Sequence, residues 1–416
     1  MDKQTKKYIY IQPEYIKQFR CDGQKCNAKC CRKWNIPIDS ATYQKYLRLK
    51  PKSEAKRILE SITFKREYNS HFIKHDEHGH CPLLTSECLC SIQLKHGEGF
   101  LSDTCASYPR VAHCLVDYYE RSLTMTCPLA AELILLSTEP MAFEQVELDE
   151  MQHAANGTPS TFLIPREWIR QLFTIQYAAI SILQSRNLSL DGRLIVLGFY
   201  FDRLDELING NRSDEIETLS AVYSSEQFLT ESAPHLVESI DFDASAYIKT
   251  MFNLLEALYG EGSKFSALDG RYLDAVSDVL DISVDKNKGA SVHELAKNYM
   301  RLGSARNDFL KRNSIKLEHY LVNEFFLGLY PWKVSMSIVQ NYGVFVSAYK
   351  ILELVALSLE VQWKKWHAGE GEPPEEYRLP ATMTNLSTNI DHNKEYVQCV
   401  MDNLNGDVLT IMRSLL

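Results

Sequence analysis

Cys21-Asp-Gly-Gln-Lys-Cys26-Asn-Ala-Lys-Cys30-Cys31 sets four cysteines into one short run. Cys81, Cys88, Cys90, Cys105, Cys114 and Cys127 follow, so ten of the eleven cysteines lie between residues 21 and 127 and only Cys399 stands elsewhere. The first third of the chain is therefore organised by thiol chemistry. Three explanations compete: a disulfide framework, structural zinc, or an iron–sulfur cluster.

Working outward, residues 1–20, MDKQTKKYIYIQPEYIKQFR, are charged throughout and lack the apolar stretch of an export signal. A cytoplasmic location is the expectation, and in that reducing compartment clustered cysteines bind metal or do redox work more often than they pair. The most apolar stretch, Leu129 to Ser137, contains Glu132 and is too short to span a bilayer, so no membrane insertion is expected. Residues 1–130 carry 21 basic and 14 acidic side chains; residues 131–416 carry 24 and 40. No basic tract is dense enough for nucleic acid, and the overall charge of −9 argues against that class. A basic cysteine region beside an acidic remainder can orient a partner electrostatically.

The periodicity predicts a mainly α fold: a cysteine-rich, metal-stapled domain of loops and helices over residues 1–135, a linker over 136–163, and an α-helical body over 164–416 on which the first domain packs. Within the first domain, Asp39 or Ser40 is placed to cap a helix that breaks near Pro51. Residues 15–37 and 75–115 read as loops that bury little apolar area, so ligation must supply part of their stability. In the body, Pro165 suits a helix start, and Trp168, Leu172, Ile175, Ala179 and Ile182 recur every three or four residues. Leu194, Leu197, Phe201, Leu204 and Ile208 form a second stripe after Asp191-Gly192. Further helices are expected at 213–230, 245–260, 266–281, 291–302, 315–329 and 334–366, with a subdivision near 285 and an exposed loop at 368–380. Nothing alternates with period two for long enough to suggest a sizeable sheet. The stripes and the clusters Phe325-Phe326 and Tyr330-Pro331-Trp332 read as core.

Four thiolates suffice for a tetrahedral zinc or a four-iron cluster. Paired Cys-x-x-Cys knuckles would favour zinc, and the chain has none. Irregular spacing suits iron–sulfur better, with zinc as the alternative metal. Cys30 and Cys31 are adjacent, and their side chains diverge in helix or strand, so both serve one site only through a sharp turn. A second site or a non-ligand role for one of them is the other possibility. The tract His71-Phe-Ile-Lys-His75-Asp-Glu-His78-Gly-His80 has metal-binding residue types, but a solvated loop is the better reading where cysteines abound. His293-Glu294 is followed by Lys297 where a zinc protease needs histidine, and Gly97-Glu98-Gly99 lacks the preceding strand of a dinucleotide-binding turn.

The order Cys21-x4-Cys26-x3-Cys30-Cys31-x2-Trp34-x-Ile36-x-Ile38-Asp39, Cys81-Pro82-Leu83-Leu84, Leu89-Cys90-x-Ile92-Gln93, Gly97-Glu98, Leu101-Ser102-x-Thr104-Cys105-x2-Tyr108-Pro109-Arg110 and Ser122-Leu123-Thr124-x2-Cys127-Pro128 resembles the flagellin lysine-N-methylases (FliB-type proteins). These in turn resemble the wider CxxCxxCC group of zinc- or iron-chelating proteins. A weaker match, Glu318-His319-Tyr320-Leu321-Val322-Asn323 followed by Tyr330-Pro331, extends into the helical part. The resemblance implies a bacterial lysine N-methyltransferase that takes flagellin as its protein substrate. It further implies an iron–sulfur cluster, 4Fe-4S in type, with ligands drawn from Cys21, Cys26, Cys30, Cys31, Cys81, Cys90, Cys105 and Cys127. Cys88, Cys114 and Cys399 look additional.

Methyl transfer to lysine needs an unprotonated amine, an aligned donor and a dry site. S-adenosylmethionine is the expected donor. Trp34 and Tyr108 are candidate substrate or donor contacts because aromatic faces stabilise a methylated cation; Tyr118 and Tyr119 share the residue type. Arg110 is a candidate for the donor's carboxylate or for a helix cap. The radical-enzyme pattern Cys-x3-Cys-x2-Cys is absent, since Cys31 follows Cys30 at once and residue 33 is Lys33. The alternative function is a non-catalytic zinc or iron carrier or assembly protein on the same cysteine framework, which would not need so long a helical region.

Overall fold

The computed structural model describes residues 7–26, 28–32, 34–115, 117–148, 164, 168–259, 270–281, 291–334, 336–367, 373–390, 393–404 and 406–416. The chain divides into two units, Met1–Leu133 with Ala142–Thr161 and Ile134–Met141 with Phe162–Leu416. Lys33, Pro165, the expected subdivision near 285, residues 149–163 and the first part of the expected loop at 368–380 lie outside the described residues.

The first unit contains β1 (Tyr8–Pro13), β2 (Pro37–Ile38), β3 (Ile62–Lys65), β4 (Ser70–Ile73), β5 (Arg110–Cys114), β6 (Tyr119–Leu123) and β7 (Phe143–Leu148). They make a four-stranded sheet in the order β5-β6-β1-β7 and a three-stranded sheet in the order β2-β4-β3. This corrects the expectation of loops and helices alone. Each strand is six residues or shorter, too brief to show as an alternating window. The aromatic, β-branched run Tyr8-Ile9-Tyr10-Ile11 suits a strand; it lies parallel to β6 and antiparallel to β7, with Tyr10 opposite both Tyr119 and Val146. Tyr10 and Tyr119 stack at 5.0 Å, and the Arg121 guanidinium lies 5.0 Å over the Tyr10 ring. Phe143–Leu148, inside the span read as a linker, is thus the strand that closes this sheet.

The unit's helices are α1 (Ser40–Arg48), α2 (Lys52–Glu60), α3 (Ser91–His96) and α4 (Asp103–Ser107), and α5 (Pro128–Leu136) begins in it and ends in the second unit. Asp39 is the cap of α1, accepting from the Thr42 amide at 2.8 Å, and Pro51 separates α1 from α2, both as expected. No helix among the described residues is long and apolar enough to cross a membrane.

The second unit is helical: α6 (Ile169–Leu183), α7 (Leu190–Asn209), α8 (Ile216–Ser224), α9 (Ala233–Glu238), α10 (Ala244–Tyr259), α11 (Gly270–Val279), α12 (Val292–Arg301), α13 (Gly303–Leu327), α14 (Ile338–Trp366), α15 (Leu379–Ile390), α16 (Lys394–Asn403) and α17 (Val408–Leu415). The mainly α class is therefore correct for this body. The stripe Trp168, Leu172, Ile175, Ala179 and Ile182 is buried. Ser189 caps α7 by accepting from the Gly192 amide, so Asp191-Gly192 lies in the first turn rather than before the helix. The span 213–230 is divided, because α8 stops at Ser224 and a π-helical turn follows at Phe228–Ser232. α13 begins well before residue 315, since its polar first half, with no breaker, continues the helix without an apolar stripe.

The core of this unit is α14, buried along most of its length and packed against α7, α11, α13, α15 and α16. Its crossing with α7 is close. A Cβ on Gly198 would meet the Met412 side chain at 2.4 Å and Tyr342 at 2.7 Å. The Tyr342 hydroxyl donates to the Leu194 carbonyl at 2.9 Å.

Two buried charge groups tie these helices together. Lys350 Nζ lies 3.1 Å from Asp191 and 2.8 Å from Glu353, while Arg306 reaches Asp191 at 2.6 Å and also pairs with Glu353. Burial alone would push the Asp191 carboxyl up, but Lys350 and Arg306 outweigh it and hold it below the usual range. Burial likewise pulls Lys350 down, and Asp191 and Glu353 reverse that. Separately, Glu318 is paired with Arg193 at 2.8 Å and Arg186 at 2.9 Å. Its neighbour His319 sits with Nδ1 2.9 Å from the Ile134 carbonyl and Nε2 2.8 Å from that of Glu139.

Asp191→Asn strands two cations in a dry site and is expected to cost about 3–5 kcal/mol in chemical denaturation. A carboxylate whose native pKa is depressed contributes stability above the ordinary Asp value of about 3.9 and loses it as pH falls through the native value. Wild-type stability should therefore fall on acidification through that range, and the variant's should fall less. Gly198→Ala should also lower the denaturation midpoint, because backbone and ring must separate.

Candidate metal centre

The run from Cys21 to Cys31 is a sequence of tight turns. The Cys26 amide donates to Asp22, Ala28 to Gly23, Lys29 to Cys26 and Cys31 to Ala28. Ala28 has φ of 49°, the left-handed region, and a 3-10 turn follows at Lys29–Cys31. This sharp turn keeps the adjacent side chains from diverging: Cys30 and Cys31 have their sulfurs 3.8 Å apart. Either sulfur can donate in this pair, and the bond between them holds the Cys30 thiol down while it raises that of Cys31. The loop also needs Gly23, where a Cβ would stand 2.9 Å from the Cys88 carbonyl oxygen.

Downstream segments fold back on this turn. The Cys81 amide donates to the Cys31 carbonyl at 2.9 Å. Leu84 and Cys90 form an antiparallel bridge, and Ser91 donates twice to the Leu83 carbonyl. Cys105 lies in α4, whose cap Ser102 accepts from the Cys105 amide at 3.3 Å. The result is an apolar cluster of Ile36, Ile38, Tyr46, Ile58, Ile73, Cys81, Leu83 and Ile92, against which Cys31, Cys90 and Cys105 pack. Burial pushes the Cys81 thiol up to about 11, with Cys90 and Cys30 adding to it. Burial likewise takes Cys105 to about 12, with Cys90, Cys81 and Cys30 beside it.

Cys21, Cys26, Cys30 and Cys127 stand outside that cluster. Cys127 precedes α5, and its thiol is pushed up to about 11 by burial and by Cys26 and Cys30, against the lowering effect of the Ala130 and Leu129 amides at the helix start. Cys21 is exposed; burial of its thiol raises it, as do Cys30 and Cys26, and Arg110 lowers it. Lys29, which sequence reasoning passed over, has its amine lowered by burial and partly restored by Cys127. Its position between Cys26 and Cys30 was the available signal.

Trp34, Tyr108 and Arg110 all border this second group. Trp34 is 39% exposed, donates its indole N–H to the Cys30 carbonyl, and has its ring 6.4 Å from that of Tyr108. The Tyr108 hydroxyl is 3.1 Å from Thr126 Oγ1, next to Cys127. Arg110 lies on β5 rather than at a helix end, which removes the helix-cap reading. Its guanidinium sits 5.2 Å over Phe19, and among the described residues it has no carboxylate partner. Tyr119 packs in the sheet, and the Tyr118 hydroxyl bonds to Glu120. The histidine tract forms β4 and a turn closed by Asp76, which accepts from the amides of His78 and His80; His71 stacks on Tyr43 at 3.8 Å. Cys114 lies at the end of β5, Cys88 receives Arg32 at 3.9 Å, and Cys399 donates to the Asn253 carbonyl in the helical unit.

No disulfide joins any of the eleven cysteines. Among the described residues no three His, Cys, Asp or Glu side chains converge on one metal ion. The donor set nevertheless fits an iron–sulfur cluster, because such a cluster is held at its corners and its thiolates need not converge on a point. Cys31, Cys81, Cys90 and Cys105 come from four segments around one apolar surface, which is the dry, sulfur-rich lining that group takes.

Residues 176–416 match the family described as the FliB lysine N-methylase C-terminal domain, which is most of the helical unit and more than half of the chain. The chain belongs to this FliB-type lysine N-methylase family. It is 30% identical over 196 residues to the lysine-N-methylases of Salmonella typhimurium and Salmonella choleraesuis, a stretch covering 46% of this chain and 46% of each relative. The match thus spans about half the length of those curated relatives. The flagellar biosynthetic protein FliU of Salmonella muenchen is 33% identical over 140 residues, 33% of this chain and 83% of that protein. No solved structure matches the chain significantly.

Cys81→Ser and Cys127→Ser should each lower the metal bound per chain under anaerobic purification, and Cys399→Ala should leave it unchanged. Gly23→Ala should also lower it, by lifting the first loop from Cys88. Elemental analysis of the intact protein reads all four.

Proposed function

We propose that the protein is a protein-lysine N-methyltransferase that takes flagellin as substrate and S-adenosylmethionine as donor, with an iron–sulfur cluster in its cysteine-rich unit. Membership of the lysine N-methylase family carries this reading. The grouping of Trp34, Tyr108 and Arg110 beside the cysteines supports it. A cluster bound there, with ligands from Cys21, Cys26, Cys30, Cys31, Cys81, Cys90, Cys105 and Cys127, would supply a rigid, charged anchor for the short segments that carry them. Zinc is the alternative metal.

Fewer than about one in a thousand free lysine side chains is neutral at pH 7. The site must therefore favour the unprotonated amine, whose lone pair takes the methyl carbon while the donor's sulfur keeps the electrons of the broken carbon–sulfur bond; a proton is released. Trp34 and Tyr108 offer ring faces to the methylated cation. Burial raises the Tyr108 hydroxyl above its ordinary value, so it stays protonated and serves as a wall or donor rather than as a base. Arg110, with no carboxylate partner among the described residues, is the residue assigned to the donor's carboxylate. The excess of acid in residues 131–416 favours approach of a lysine-bearing surface.

Anaerobically purified protein, incubated with S-adenosylmethionine and flagellin, should add about 14 Da per methyl group to the intact flagellin mass. Arg110→Ala should raise the KM for the donor at least tenfold. Unmodified flagellin in the presence of bound metal would instead favour the metal-carrier reading.

A further inference from the structure

We infer that the eight cysteines form two four-thiol metal sites, one of Cys31, Cys81, Cys90 and Cys105 and the other of Cys21, Cys26, Cys30 and Cys127. The inference rests on the reading that the cysteine-rich unit binds metal, and divides that binding in two. A single cluster needs four thiolates, so eight positions leave a complete second set.

The two sets differ in what surrounds them. The first packs as one group against the apolar cluster of Ile36, Ile38, Tyr46, Ile58, Ile73, Leu83 and Ile92, with Cys81 itself buried. Backbone bonds hold its members: Cys81 to Cys31, and the Leu84–Cys90 bridge beside them. None of the second set touches that cluster. Cys26 and Cys30 are spaced by the turns of the first loop, and Cys30 is tied through Trp34 and Tyr108 to Thr126, the neighbour of Cys127. The electrostatics agree. Cys31 senses Cys81 and Cys105, whereas Cys21 and Cys127 sense Cys26 and Cys30. Cys30 is sensed from both sides, as its 3.8 Å approach to Cys31 requires. The adjacent pair is therefore the seam between two sites, each cysteine serving one.

Each set has one buried cysteine, Cys81 or Cys127, and the sets differ in that the second holds the exposed Cys21. The first set stands against the apolar cluster and would staple the first loop, the Cys81 segment, the start of α3 and α4 to one another. In the second, Arg110 lies near enough to the exposed Cys21 to lower its thiol, and the Cys30 carbonyl accepts from the Trp34 indole. The second is the open site, at which metal is accessible to reagents and substrate.

The test is metal stoichiometry on the full chain, reconstituted anaerobically with iron and sulfide. The wild type should hold about eight irons and eight sulfides, and Cys81→Ser/Cys105→Ser and Cys21→Ser/Cys26→Ser should each hold about four. A chelator should strip the wild type of half its iron quickly and the rest slowly, and the fast half should be missing from Cys21→Ser/Cys26→Ser. About four irons in the wild type would overturn the two-site division whatever the variants do, so loss of folding in a variant, checked by circular dichroism, leaves the result decisive. Two zinc ions per chain without iron would support two sites and overturn the iron–sulfur reading. One zinc would overturn both, as would no bound metal.

Discussion

Burial raises the thiols of Cys81, Cys105 and Cys127 to about 11, 12 and 11, so at neutral pH each stays protonated unless a cation draws the proton off. That constraint falls on the cysteine-rich unit. Its strands are short and its helices few-turned, and its apolar cluster is lined by sulfur as well as by isoleucine and leucine. Crowded thiols in such a place contribute little as weak hydrogen-bond donors. As thiolates around metal they become strong ligands, and the free energy of ligation becomes free energy of folding.

The helical unit solves a different problem. Its central helix, α14, carries Lys350 and Glu353 into the interior, where an unmatched charge is expensive. Asp191 from α7 and Arg306 from α13 complete a four-member set in which each cation meets both carboxylates. Such a set is weak evidence for stability, because desolvation opposes the Coulomb gain. It does impose specificity, since only one register of α7, α13 and α14 brings all four groups together. The pair Glu318-His319, part of the motif matched to the family, has the same character. Glu318 gathers Arg186 and Arg193, and His319 ties α13 to the carbonyls of Ile134 and Glu139. Both sets of contacts join segments of the body that are far apart in the chain.

Much of this was legible in the chain. Asp39 as a cap, the break at Pro51 and the buried stripe of α6 follow from local rules, because a cap, a ring-locked proline and a 3.6-residue period each act within one or two turns. The strands were not legible: six residues or fewer, many of them charged or aromatic, leave no alternation to detect. β7 was hidden in a polar stretch because an edge strand needs only one apolar face.

The sequence by itself determined that the first third would be built on thiols, that the remainder would be helical, and which family the motifs resemble. Those properties reside in residue type, order and short-range period. Only the tertiary structure decided which cysteines share surroundings, that Trp34, Tyr108 and Arg110 border one group and not the other, and that Asp191, Arg306, Lys350 and Glu353 meet. Each of these is a through-space relation between segments far apart in the chain, set by how the backbone turns at Ala28 and how three helices register. Periodicity carries no information about either.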